Sequence, residues 1–220
     1  MGYMKSKITI ILFIVLPVIA VIMTFITGQL EDFPATYLTT VLATSLAGAL
    51  GGIMLATSIT SEMNKNVYDL FLIRPVKRRN IIIAKFVAVY LCTIAAVWLS
   101  ILTGVIIDAI RQVTVPQFFA DQLHDSFITV FFALAITCSF GALFGVVMKS
   151  VAGSALLSLY VGNQTSSILT LVIPLISQML ELQLGITFPF DPLILSIIIG
   201  TIASVVILLL TIVIFNKKQF

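Results

Sequence analysis

Apolar residues run along the chain in six long blocks, 8–26, 37–60, 81–107, 126–148, 151–177 and 192–215, separated by polar stretches. The shortest block holds nineteen residues. At about 1.5 Å of rise per residue it reaches roughly 28 Å as a helix, close to the ~30 Å thickness of a bilayer's hydrocarbon core. Backbone polar groups find no water to bond in lipid, so runs this long and continuously apolar are read as helices. The pattern predicts an all-α polytopic membrane protein with six transmembrane helices, a single transmembrane domain over residues 1–220 with no nucleotide-binding domain. Pro17 lies near the middle of the first block, and no small-residue cleavage site follows in FITGQLED, so a retained helix is expected there rather than a cleaved leader. The opening MGYMKS formally fits a myristoylation signal, which adds little to a chain held by several spans.

One interruption differs in character: Glu62 to Lys85, EMNKNVYDLFLIRPVKRRNIIIAK, is charged between two apolar runs. Met63, Val67, Leu70 and Phe71 recur at i, i+4, i+7 and i+8, one helical stripe, and Glu62, Lys65, Asn66 and Asp69 take the opposite face. The spacing predicts a short cytoplasmic amphipathic helix, capped by Ser61 with Glu62 in its first turn. Pro75 ends it, because proline disfavours helical geometry at Arg74. After Lys77, Arg78 and Arg79, Lys85 enters the third span one turn deep, where its stem is expected to snorkel back to the interface.

Charge sets the orientation. Of twelve Lys and Arg residues, eleven fall on one side, leaving Arg111 alone on the other. By the positive-inside rule both termini and the Glu62–Lys85 segment are cytoplasmic. Seven of nine carboxylates, among them Asp108, Asp121 and Asp125, are then external, and 108–125 reads as a polar loop carrying Pro116 and the single histidine, His124.

Composition removes several classes. With 60% hydrophobic residues, 10% charged and a mean hydropathy of +1.20, the chain is far from a soluble domain. The net charge of +3 sits beside the spans rather than on a soluble face, which argues against nucleic acid as a partner. Cys92 and Cys138 lie in apolar runs and read as small fillers, and an isolated loop histidine is not a metal site. GVVMKS lacks the glycine before Lys149 that a phosphate-binding loop requires, so no catalytic, cofactor or metal residues are expected.

Within the spans the informative residues are small or polar. Thr44, Gly48 and Gly52 fall in the second block, the glycines spaced for close helix approach, and Gly141 and Gly145 repeat that spacing in the fourth. Asn163, Gln164, Thr165, Ser166 and Ser167 interrupt the fifth. Asn163 stands twelve residues past Val151, roughly 18 Å deep. Such side chains face protein or water rather than lipid. Thr44, Gly48, Gly52, Asn163, Gln164, Thr165 and Ser167 are therefore candidates for a transport path or a subunit interface, with interhelical hydrogen bonding as the other reading.

The Glu62–Lys85 segment resembles that of the ABC-2 type permeases, the membrane subunits of ATP-driven exporters. Those proteins carry a pattern like E-x-x-x-G-T-x-E-x-L-L-x-x-P-V-x-R between their second and third spans, then a lysine entering the next helix. Glu62, Asp69, Leu72, Pro75, Val76, Arg78 and Lys85 sit at matching positions, whereas Asn66 and Val67 replace Gly-Thr and Phe71 replaces one leucine. The family also commonly has an amphipathic helix before the first span, where seven residues stand here. The resemblance implies that Met63 to Ile73 is a coupling helix seated on a separate cytoplasmic ABC ATPase, through Glu62, Met63, Val67, Asp69, Leu70, Phe71, Leu72, Pro75 and Arg78. It implies two ATPase copies, holding the ATP and Mg, and a second permease, more readily identical than different, in a bacterial or archaeal plasma membrane.

Two further readings remain from the residues. The apolar stripe can lie on the lipid interface instead, and the chain can be a stand-alone ion-coupled transporter or channel, which normally wants ionisable groups near midplane. An intramembrane enzyme would need a nucleophile with its base, or a metal cluster, inside the spans. With short external loops, cargo recognition is expected within the membrane, favouring hydrophobic or amphipathic peptides such as toxins or bacteriocin-like molecules, then lipophilic drugs.

Overall fold

A computed structural model describes residues 13–19, 21–22, 35–65, 78–111, 117–168, 175–176, 179 and 192–217, with side chains undescribed at 35, 37, 38, 78, 117–127, 192 and 193. The described residues are helical throughout apart from the turns at 65 and 148–150, with no strand. The stretch 13–19, with Pro17 in it, is α1; α2 is Ala35–Asn64, α3 Arg78–Arg111 and α4 Gln117–Val147. Next, α5 opens as Val151–Leu157, passes through a π-helical turn at Ser158–Gly162, and continues as helix over 163–168. Pro192–Lys217 is α6, starting on a proline whose missing N–H is among the unpaired donors of a first turn.

Four of these helices, α2, α3, α4 and α6, are long and apolar enough to cross a membrane. Their arrangement of polar and apolar side chains is inverted relative to a soluble bundle. Leu91, Leu102 and Ile106 on α3 and Ile202, Val206 and Leu210 on α6 are exposed, while Thr60, Thr93, Ser100, Ser139, Ser154 and Thr211 are buried. Water would penalise that apolar surface and lipid does not.

At the centre stands α2, packed against α3, α4 and α5, and α6 lies mainly against α4. Adjacent glycines allow this convergence. A Cβ on Gly51 would meet the Thr93 methyl of α3 at 2.8 Å, and one on Gly52 would meet Ser158 Oγ of α5 at 2.7 Å. Across from Gly52, a Cβ on Gly141 would come within 2.5 Å of the Gly52 carbonyl oxygen, so α2 and α4 touch backbone to backbone. Gly145 repeats the contact a turn on, against Ala56. The small-residue spacing of both helices thus serves packing inside the chain.

The helices outrun the apolar blocks. At its start α4 takes in Asp121, His124 and Asp125, expected in a loop, and α3 takes in Arg78 at one end and Asp108 at the other. Helical backbone continues past the hydrocarbon because it satisfies its own hydrogen bonds, whatever the side chains. Met148–Ser150 makes a tight turn between α4 and α5, and Ser150 Oγ caps α5 by accepting from Gly153 N. Only parts of the blocks 8–26 and 151–177 lie among the described residues.

Gly141→Ala is expected to destabilise the bundle by about 1–3 kcal/mol or more, since its methyl would meet rigid backbone. Gly153→Ala, whose Cβ finds only ordinary contacts from 3.6 Å, should be neutral or gain up to about 1 kcal/mol of helix propensity. Thermal unfolding in detergent reads both, and equal midpoints would contradict the contact.

Candidate functional site

Two regions concentrate polar groups inside the bundle. One joins α2 and α3 at the end that charge counting places in the cytoplasm. Lys85 is buried and forms an ion pair with Glu62, and its Nζ also lies 3.5 Å from Ser58 Oγ, itself 3.3 Å from Glu62 Oε1. The expected snorkelling of Lys85 does not occur: its stem packs inward because α2 presents a carboxylate within reach. Glu62 is available there because α2 does not stop at Thr60. Ser61 Oγ donates back to Ser58 O instead of capping a new helix, and Met63 packs against the core. Glu62 and Met63 therefore belong to the last turn of α2, a correction to the separate amphipathic helix expected from Ser61 onward. Asn64 then fastens this end to the α4–α5 turn by donating to Lys149 O at 2.8 Å. Val67, Asp69, Leu70, Phe71, Leu72 and Pro75 lie outside the described residues, and Arg78 opens α3.

At the opposite end Asp108 is buried rather than in an external loop. It accepts from Thr36 N at 2.8 Å and from Thr36 Oγ1, capping the start of α2 from a neighbouring helix. Antiparallel α2 and α3 are thus tied by a carboxylate at each end.

The second region is a cavity of about 280 Å³ between α2, α4 and α5. Thr40, Thr44, Ser45 and Gly48 line it from α2, Thr129 and Thr137 from α4, and Asn163, Ser166 and Ser167 from α5. It lies in the half of the bundle away from Glu62 and Lys85. The hydroxyls donate along their own helices: Thr44 to Val41 O at 2.9 Å, Thr137 to Leu134 O at 3.0 Å, Ser166 to Asn163 O at 3.0 Å and Ser167 to the same carbonyl at 2.9 Å. These contacts of Ser166 and Ser167 stay within α5.

Of the residues expected to form a path or interface, the structure brings Thr44, Gly48, Asn163 and Ser167 together on this cavity. Gln164 is exposed on the outer face of α5, Thr165 donates to Val161 O, and Gly52 packs below against Gly141. Asn163, Ser166 and Ser167 share a face at i, i+3 and i+4. The π turn sets which face that is, since its extra residue rotates the downstream part of the helix by roughly 100°. Thr40, Ser45, Thr129, Thr137 and Ser166 also line it and were missed; a threonine or serine in an apolar run carries no sequence mark that separates cavity wall from filler, since its hydroxyl can bond to its own helix in either place. A further ladder, Thr60 Oγ1 to Gly145 O and to Ser154 Oγ, both at 3.0 Å, joins α2, α4 and α5 below the cavity, and Ser158 Oγ is buried between them without a hydrogen-bond partner among the described residues. Among the described residues no cluster of His, Cys, Asp or Glu could hold a metal.

Fold and site define a multi-pass, all-α membrane protein with an open, uncharged cavity between its helices, lined by hydroxyl-bearing and apolar side chains. No family model matches the chain, and no curated protein matches it.

Removing one partner of the Lys85–Glu62 pair strands a charge. Glu62→Gln should destabilise the fold by about 2–4 kcal/mol, below the ~3–5 kcal/mol of a fully enclosed pair, since 29% of the Glu62 side chain is accessible. Combining it with Lys85→Met should restore most of the loss. A double variant no more stable than the single, by denaturant titration in micelles, would contradict the pairing.

Proposed function

We propose that the chain is the membrane-embedded permease subunit of an ATP-driven exporter of the ABC-2 type, working as a pair of permeases with two copies of a cytoplasmic ATPase in a prokaryotic plasma membrane. The observation that carries the reading is the Glu62–Lys85 pair. These residues flank the segment that resembles the family's coupling motif, and their contact anchors both ends of it to the bundle. A partner that pushes on residues between them would then move α2 and α3 together, and α2 forms one wall of the cavity. The apolar stripe Met63, Val67, Leu70 and Phe71 is shortened by this arrangement, since Met63 faces the core; Leu70 and Phe71 become its centre.

The cavity wall is uncharged, and the buried carboxylates and Lys85 sit near helix ends rather than at midplane. That distribution favours cargo movement driven by a partner over ion coupling by the chain alone. A cargo with apolar bulk and a small polar group, such as an amphipathic peptide or a lipophilic drug, suits a pocket of this size and lining.

Leu70→Asp and Phe71→Asp are expected to leave membrane insertion intact and to abolish co-purification of an ATPase from the native membrane. Unchanged co-purification would sink the reading. Transport by the purified chain alone in liposomes would favour the ion-coupled alternative instead.

A further inference from the structure

Gln164 is exposed on the outer face of α5, near the mid-height of the bundle. Its depth follows from packing. A Cβ on Gly162 would lie 3.4 Å from Thr137 Cα, and Thr137 is the tenth of the 20 residues in Ile128–Val147, the part of α4 apolar enough to span. Gln164 stands two residues further on, roughly 3 Å along the helix. No hydrogen bond reaches its carboxamide among the described residues. An amide left unsatisfied in hydrocarbon is costly, so this face is either wetted or covered.

Its neighbours decide between the two. Leu156, Tyr160, Gln164 and Ile168 recur every four residues and are all exposed, Leu156 at 68%, Tyr160 at 67% and Ile168 at 54%. In a plain α-helix that spacing drifts by about 40° a step, or about 120° from the first to the last. The extra residue of the π turn at Ser158–Gly162 takes back roughly 100° of it. The four side chains therefore stand almost in one line. Water along that line would wet Leu156 and Ile168, whereas lipid would leave Gln164 with neither donor nor acceptor. A protein surface that is apolar with a carboxamide at its centre meets both needs, and this line is itself such a surface. Two copies inserted with the same orientation are related by a twofold axis along the membrane normal, so residues beside that axis meet their own counterparts at equal depth. An amide carries both N–H donors and a carbonyl acceptor, and two of them can bond reciprocally.

We infer that the outer face of α5 is where two copies of this chain meet, with Gln164 of each copy donating to Gln164 of the other across the twofold axis. The inference rests on the reading of the chain as a paired permease and names the surface that makes the pair. Asn163 and Ser167 line the cavity from another side of the same helix, so α5 becomes the wall between the subunit interface and the cavity.

The test is disulfide cross-linking of the full chain in membranes, with Cys92→Ala and Cys138→Ala removing the native thiols. Gln164→Cys is expected to give a disulfide-linked species of twice the chain mass under mild oxidation. Val205→Cys, exposed on α6 and also near the middle of its span, is the collision control and should give little. Independently, Gln164→Leu, which keeps apolar area but removes the amide, should weaken dimerisation in liposomes about tenfold, read by energy transfer between labelled copies on dilution into lipid. Cross-linking at Gln164→Cys no stronger than at Val205→Cys, adducts to a different protein in place of the doubled mass, or undiminished dimerisation of Gln164→Leu would each overturn the inference. ATPase co-purification is read separately: a chain that captures an ATPase but does not cross-link through Gln164→Cys keeps the permease reading and loses this one.

Discussion

The rest of the bundle depends on how closely α2 can be approached at Gly51 and Gly52. Apolar burial gives little drive between helices in lipid, so association depends on contact area and on hydrogen bonds that cross between helices. With no side chain on either residue, α3, α4 and α5 all reach the α2 backbone at nearly the same height, α4 through Gly141. That crossing sets the splay of the helices on either side. On one side the separation is small enough for Thr60 to reach Gly145 O and Ser154; on the other it leaves the cavity lined by Thr44, Thr137 and Ser166.

The carboxylates at the two ends of the α2–α3 pair do different work. Asp108 accepts the N–H and hydroxyl of Thr36 and so closes the exposed start of a helix, a contact with fixed direction and short reach. Glu62 meets Lys85 through two flexible side chains, in a pair that is costly to break and contributes little over an apolar replacement. The first is a structural cap. The second has the properties of a joint, placed near the ends of α2 and α3 that residues 66–77 connect in the chain.

A π turn midway along α5 relates the crossing to the cavity. Ser158 and Gly162, its first and last residues, face Gly52 and Thr137. The polar residues beyond the turn are rotated onto the space that the crossing opens. Without the extra residue, a straight helix would carry Asn163 and Ser166 to another face, and the same hydroxyls would meet a different wall.

Much of the fold was legible in the sequence. The length and apolarity of the blocks pointed to helices, four of which are long and apolar enough to cross a membrane, and residue spacing drew attention to Gly48, Gly52, Gly141, Asn163 and Ser167. Those properties are local: hydrophobic length, small volume and the cost of a polar group in lipid are set by the residue and its neighbours in the chain. Partners were not local. Glu62 and Lys85 stood at the two ends of one motif with nothing to say that they meet, Lys85 was expected at the interface and Asp108 in a loop, and adjacent Gly51 and Gly52 gave no sign that they face different helices. Whether a hydroxyl fills a core or walls a cavity depends on what the opposing helix offers at that height, and whether a long cation turns outward or inward depends on a carboxylate 23 positions away. Only the packing of α2 against its three neighbours decided these, because each is a competition between partners that tertiary contact alone brings within reach.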